Sequence, residues 1–314
     1  MSTNQPFTLR LGTRGSRLAR MQSDGVAQAL EAITPGLRVE TIFITTTGDQ
    51  VQDRPLHDIG GKGLFTKEIE RALLDGRIDV AVHSFKDVPV TQPLVEQSNL
   101  VFAAVPARED ARDVLVSGVA RSIDTLPRGA KVGTGSLRRR CQLLARRADL
   151  VVEMIRGNID TRLRKLHEGQ YDAIVLALAG LRRADLFEGA TMFPIDLDQM
   201  VPSPGQGALA VQCRADDARA RDILKHLNDR PTEACVQIER ELVQKLDGDC
   251  QSPIAAFATV TSRTIELISA VGARGGDGPV VTSRVQADAS ERHLLASLAY
   301  DSLCEQGALG LLAR

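Results

Sequence analysis

Short runs of β-branched and apolar residues alternate along the chain with stretches whose apolar positions recur at helical spacing. Val39 to Thr45 reads as a strand. Leu64 to Leu74 brings Leu64, Ile69, Ala72 and Leu73 near helical spacing, and Asp75-Gly76 closes that helix. Ile78 to Val82 has the continuous apolar character of a buried strand; it runs into the polar cluster His83-Ser84-Phe85-Lys86-Asp87 and stops at Pro89. The rhythm then repeats. Ala130 to Val132 is a short strand, Gly133-Thr134-Gly135-Ser136 a turn and Leu137 to Arg146 a helix. Leu150 to Ile155 is a strand, Arg156-Gly157-Asn158 a turn and Ile159 to His167 a helix, and Asp172 to Leu178 is a strand that leads to Gly180.

Strand, turn and helix in this order predict a mostly parallel sheet with helices on its faces, and such sheets bind ligands beyond the carboxyl ends of their strands. The polar clusters fall at those ends. Pro202-Ser203-Pro204-Gly205-Gln206-Gly207 is the candidate hinge. Leu209 to Cys213 is one more strand, expected to return to the first sheet, and Asp216 to Asn228 and Thr232 to Leu246 read as helical. Ile254 to Val260, Thr264 to Val271 and Val280 to Gln286 then read as antiparallel strands, closed by a helix from Glu291 to Glu305. The expected architecture is two similar α/β domains, residues 1–104 with 201–225 and residues 105–200, followed by a smaller α+β domain over 226–314.

Composition narrows the function classes. The 314 residues carry a formal net charge of −1, which argues against a general nucleic-acid binder. The longest apolar run, Ala173 to Ala179, is too short to span a bilayer, and Met1 to Arg10 lacks an apolar signal core. Cys141, Cys213, Cys235, Cys250 and Cys304 are widely spaced with no CxxC pair, so neither a metal site nor a disulfide framework is expected. A cytoplasmic protein with reduced thiols is the expectation, and nothing in the pattern marks an oligomer, so a monomer is expected too.

The candidate chemistry lies in turns. Arg14, Arg138, Arg139, Arg156, Arg162 and Arg183 all follow strand ends or open the helices after them, beside glycine and hydroxyl residues. Guanidinium forks grip carboxylates or phosphates with paired bonds, so the set suits a ligand with several anionic groups; solvated surface charges are the alternative reading. Arg140, Arg146 and Arg147 fit a charged helix face better. Asp87 among these cations can stabilise a cationic intermediate or move a proton, and Lys86 beside it can form a Schiff base; a local ion pair is the plainer account. Gly60-Gly61-Lys62-Gly63 lacks the hydroxyl residue of a phosphate loop and reads as a flexible, lid-like segment. Cys250, in the tight loop Gly248-Asp249-Cys250-Gln251-Ser252-Pro253, is either a reactive thiol or a small buried hydrophobe.

Taken in order, several runs resemble the porphobilinogen deaminase family across nearly the whole chain. They are Thr13-Arg14-Gly15-Ser16-Arg17-Leu18-Ala19, Gly60 to Phe65, Val82 to Pro89, Val132 to Arg139, Arg156 to Arg162, Ala179-Gly180-Leu181, Gly205-Gln206-Gly207-Ala208 and the Cys250 loop. The resemblance implies two periplasmic-binding-protein-like α/β domains with a smaller third domain. It also implies a transferase that deaminates four porphobilinogen molecules and condenses them head to tail, releasing hydroxymethylbilane for tetrapyrrole synthesis. Cys250 would hold a dipyrromethane cofactor through a thioether. Asp87 would bond pyrrole N–H groups and stabilise the azafulvenium-like cation formed as ammonia leaves. Arg14, Arg138, Arg139, Arg156, Arg162 and Arg183 would bind acetate and propionate groups, with Ser16, Ser84, Lys86, Thr134, Ser136 and Gln206 lining the cleft. No metal, nucleic acid or membrane is implied. The chain departs from the family pattern at Phe85, where methionine is common, at Gly135, where serine is common, and at Asp249 and Ser252, where small neutral and apolar residues are usual. A non-catalytic, two-lobed polyanion binder is the competing reading.

Overall fold

The computed structural model describes residues 7–50, 63, 66–90, 99–249 and 251–313. The chain opens with strand β1 (Phe7–Thr13), helix α1 (Arg17–Ile33), β2 (Leu37–Phe43), a short α2 (Thr47–Gln50), α3 (Lys67–Leu74), β3 (Val80–Ser84) and β4 (Leu100–Ala104). Next come β5 (Asp113–Val116), β6 (Lys131–Gly133), α4 (Leu137–Arg146), β7 (Val151–Glu153), α5 (Ile159–His167), β8 (Ala173–Ala177), α6 (Leu178–Arg183) and β9 (Met192–Pro194). The last part holds β10 (Leu209–Arg214), α7 (Ala218–Leu224), α8 (Arg230–Lys245), β11 (Ile254–Val260), β12 (Thr264–Val271), β13 (Val281–Asp288), α9 (Leu295–Glu305) and α10 (Ala308–Leu312). Two compact units result: residues 1–108 with 208–233, and residues 109–207 with 234–314.

The first unit is built on a sheet of order β2-β1-β3-β10-β4. β1 runs parallel to β2 and β3, whereas β10 is antiparallel to β3 and β4. Residues 209–213 of β10 are all buried, as a strand paired on both edges and covered on both faces requires. Helix α1 starts where Ser16 Oγ accepts the Ala19 N–H at 3.3 Å. It then turns Gln22, Ser23, Val26 and Leu30 inward, and Val26 and Leu30 pack on Leu9, Leu11, Val80 and Val211. Each such aliphatic side chain contributes about 1.5–3 kcal/mol by leaving water.

The second unit contains a sheet of order β7-β6-β8-β5-β9. β6 is parallel to β7 and β8, and β5 is antiparallel to β8 and β9. Strand for strand this is the plan of the first sheet, with β5 standing where β10 stands. The same unit carries the antiparallel sheet β11-β12-β13. Its inner face joins Ala255, Ile268 and Ala270 with Val201. Helix α4 lies against the end of β12, where the Cys141 thiol donates to the Ala273 carbonyl at 3.3 Å. A Cβ on Gly272 would come within 2.4 Å of Cys141 Cβ, so this contact requires glycine.

Candidate active site

In the first unit the polar residues gather where β1 and β3 end. Arg14 follows β1 directly, and a single 3₁₀ turn, Phe85–Asp87, follows β3 and carries half-buried Lys86 and Asp87. The turn is anchored by its backbone: Phe85 N–H donates to the Ala208 carbonyl at 3.0 Å, and Val88 N–H donates to Phe85 at 3.1 Å. Phe85 itself is buried and packs on Phe102 with ring centroids 5.3 Å apart, so the larger ring at this departure from the family pattern has a partner that fills its space. Ser84 Oγ and the Gln22 side chain exchange hydrogen bonds of 3.0 and 3.2 Å, which ties the strand end to α1.

Behind the turn runs a buried polar chain. His83 Nε2 bonds Gln212 Oε1 at 3.1 Å, and Gln212 Nε2 donates to Glu70 Oε1 at 3.2 Å. Burial, with the nearby Arg14 charge, holds the His83 imidazole neutral and brings its pKa down to about 4, while burial raises that of Glu70. Gln22, Gln212 and Glu70 were not among the sequence candidates. A polar residue in register with the inward-facing Val26 and Leu30 was the available signal for Gln22.

In the second unit the candidates sit after β6, β7 and β8. Ser136 Oγ caps α4 by accepting the Arg139 N–H at 3.5 Å, and Thr134 Oγ1 accepts the Ser136 N–H at 3.2 Å. That turn places Arg138 and Arg139 on the first, buried turn of α4. Both meet Asp113, the first residue of β5. Arg139 donates from Nε and Nη2 to Oδ1 at 3.1 and 2.8 Å and from Nη1 to the Val175 carbonyl at 2.9 Å. Arg138 Nη1 lies 2.8 Å from Oδ2 and donates to the Val201 carbonyl at 2.6 Å. Gln206 Nε2 donates to Asp113 Oδ1 at 2.8 Å and to the Ala111 carbonyl at 2.7 Å. The guanidinium pair holds the Asp113 carboxyl far below the usual range despite full burial. Arg138 Nε is buried with no hydrogen-bond partner.

Arg156 follows β7, with its Nε buried and without a hydrogen bond, and its carbonyl accepts from Lys165 Nζ at 3.3 Å. Arg162 on α5 donates from Nε to the Gly157 carbonyl at 2.8 Å. Arg183, at the end of α6, donates from Nη2 to the Gly207 carbonyl at 2.8 Å, and burial lowers its pKa. Arg146 and Arg147 pair instead with Asp124 and Asp149.

The loop before β11 is closed by Asp249. Its Oδ1 accepts from Gln251 N–H, Ser252 N–H and Ser252 Oγ at 2.9, 2.9 and 2.8 Å. Cys250 lies outside the described residues, as do Gly60, Gly61 and Lys62 of the glycine segment. Cys141, Cys213 and Cys235 are buried, and burial pushes the thiols of Cys141 and Cys213 up to about 11, which makes them poor nucleophiles. Among the described residues no group of histidine, cysteine and carboxylate side chains forms a metal cage.

Residues 9–222 match the family profile described as porphobilinogen deaminase, dipyromethane cofactor binding domain, and residues 233–296 match that of the porphobilinogen deaminase C-terminal domain. A porphobilinogen deaminase of Syntrophotalea carbinolica is 44% identical over 97% of this chain and 95% of its own. One from Acidithiobacillus ferrooxidans is 52% identical over 81% of each chain, and one from Roseiflexus sp. is 46% identical over 98% and 99%. Among solved structures, a periplasmic substrate-binding protein of an ABC transporter from Coxiella burnetii aligns over 72% of this chain and 94% of its own, with a TM-score of 0.44 and 16% identity. A profile spanning well over half of the chain, joined to relatives of this similarity along almost all of it, leaves one assignment: the chain belongs to the porphobilinogen deaminase family.

Proposed function

We propose that this chain is a cytoplasmic, monomeric hydroxymethylbilane synthase that joins four porphobilinogen molecules head to tail on a dipyrromethane group attached to Cys250. The observation that carries the reading is the Asp113 cluster. Two guanidiniums share one carboxylate, so the buried group bears a surplus positive charge, and Arg138 Nε remains a buried donor without an acceptor. The acetate and propionate groups of a dipyrromethane would supply an acceptor for that donor and the missing negative charge. When bound, that group serves as the primer to which substrate pyrroles are added.

The family resemblance supports the following roles for the chain's own residues. Arg138 and Arg139 with Thr134, Ser136, Arg162, Lys86 and Ser84 hold the cofactor. Arg14, Ser16, Arg156, Arg183 and Gln206 receive substrate. Ser16 Oγ and Ser136 Oγ each accept a helix N–H, so each keeps its own O–H for donation to a carboxylate. Asp87 Oδ atoms accept pyrrole N–H bonds and face the positive charge that develops at the substrate methylene as ammonia departs; one carboxylate preset there lowers that barrier without rearranging. His83, neutral behind the turn, adds no competing cation.

Incubation with porphobilinogen tests the reading. Ammonia and a linear tetrapyrrole are expected, with a covalent adduct in the intact mass that vanishes in Cys250→Ser. An unmodified, folded chain that binds polyanions and releases no ammonia overturns it. Borohydride trapping of substrate on Lys86 would move the covalent chemistry to that lysine. Size-exclusion chromatography with light scattering tests the monomer.

A further inference from the structure

We infer that Asp113 is a positioning residue that holds the Arg138–Arg139 pair and Gln206 in the arrangement that receives an anionic carboxylate before any ligand arrives. The inference rests on the reading above and adds a residue to it that neither the sequence motifs nor the family resemblance assigns a role.

The geometry supports this directly. Asp113 is fully buried at the start of β5, a strand paired on both sides. Its Oδ1 receives Arg139 Nε, Arg139 Nη2 and Gln206 Nε2, and its Oδ2 faces Arg138 Nη1. The side chains that meet it come from α4 and from the segment before β10. Every nitrogen of the Arg139 guanidinium is committed, two to Asp113 and one to the Val175 carbonyl. Arg138 is held by one nitrogen only, and its Nε is unpartnered. Two buried like charges repel, so without the carboxylate between them the arginines would separate or leave for solvent. Asp113 thus spends one negative charge to keep two positive ones in place, and the remainder is a single fixed cation with a spare donor.

Removing the charge while keeping the shape separates this role from plain packing. Asp113→Asn offers N–H groups where the arginines need acceptors and leaves two uncompensated cations. Val152→Ala, a cavity in the apolar core of the same domain, serves as the stability control. Expressed alongside wild type, Asp113→Asn should carry the cofactor adduct at about one-tenth of the wild-type fraction or less, whereas Val152→Ala stays loaded at a comparable melting temperature. Full adduct in Asp113→Asn overturns the inference. The second measurement does not depend on that variant folding. In the Cys250→Ser chain, which has no attachment point, the Nε–H resonances of Arg138 and Arg139 are read by arginine-selective NMR. Dispersed signals protected from exchange are expected; averaged, fast-exchanging signals mean that the pair is organised only by ligand, and the inference fails. A wild-type chain with no adduct of dipyrromethane mass sinks the proposed function instead, and the NMR result stands apart from it.

Discussion

Asp249 and Ser252 hold each other. Asp249 N–H donates to Ser252 Oγ at 3.0 Å, and Ser252 Oγ donates to Asp249 Oδ1 at 2.8 Å. The two positions at which this loop departs from the family pattern are therefore one departure, a polar clasp between two residues that flank Cys250 in sequence. With three donors on Oδ1, the carboxylate's charge is turned inward to its own loop. Ser252→Ala should cost about 1 kcal/mol in urea unfolding and leave the mass adduct in place. Loss of the adduct would show that the clasp takes part in attachment.

Asp87 sits on a turn pinned by backbone bonds at both ends, so shortening its side chain should leave the turn intact. Asp87→Ala is expected to lower the rate of ammonia release by roughly 10²–10³-fold, the usual effect of losing one preset electrostatic group. Cofactor assembly should suffer far less, read by intact mass. Equal loss of both would assign Asp87 to folding or assembly rather than to elongation.

His83 gives the protein an acid-sensitive element. Its folded pKa of about 4 lies below the unfolded value, so the unfolded chain takes up the proton first. The stability from keeping His83 neutral is fully present above about pH 6.5 and is lost as pH falls toward 4, by about 3 kcal/mol in all. Glu70, with its raised pKa, acts in the opposite sense above its ordinary range, so the comparison is between wild type and His83→Gln. Denaturant midpoints of the variant should fall less steeply over that window. Parallel curves would refute the assignment.

Gly207 adopts φ +86°, and a Cβ there would meet the Glu109 carbonyl oxygen at 2.3 Å. Its own carbonyl accepts from Arg183 Nη2 and Glu109 N–H. Gly207→Ala combines left-handed strain of about 1–3 kcal/mol with a backbone clash. A drop in melting temperature together with weaker porphobilinogen saturation is expected, since Arg183 moves with the carbonyl it binds. An unchanged KM would separate Arg183 from substrate.

The strand–turn–helix rhythm was legible because strands buried on both faces read as continuous apolar runs; α4 and α5 begin and end where spacing places them, since Ser136 and Asn158 cap them. Other boundaries moved by a few residues. The strand expected over Val39 to Thr45 is Leu37–Phe43, and the helical stretch from Glu291 becomes a helix only at Leu295, after a 3₁₀ turn. Among the site residues, the placement of Arg14, Asp87 and Arg156 after strands could be read from motif order. Asp113 could not: it is one of three acids in the short run from Glu109 to Asp113, and only the fold shows that two guanidiniums come to it. Likewise, spacing showed Arg138 and Arg139 as equals, whereas three bonds bind one and a single nitrogen holds the other.

The matching sheets differ in when their antiparallel strand is made. In the second, β5 is synthesised before every neighbour it pairs with. In the first, β10 is synthesised about a hundred residues after β3 and β4, between which it belongs. A growing polypeptide that has reached residue 200 therefore presents two unsatisfied strand edges on its earlier half, the kind of surface that recruits other chains. Synthesis interrupted there should yield aggregates or chaperone-held species, and a rearranged gene that starts at β10 would remove the delay.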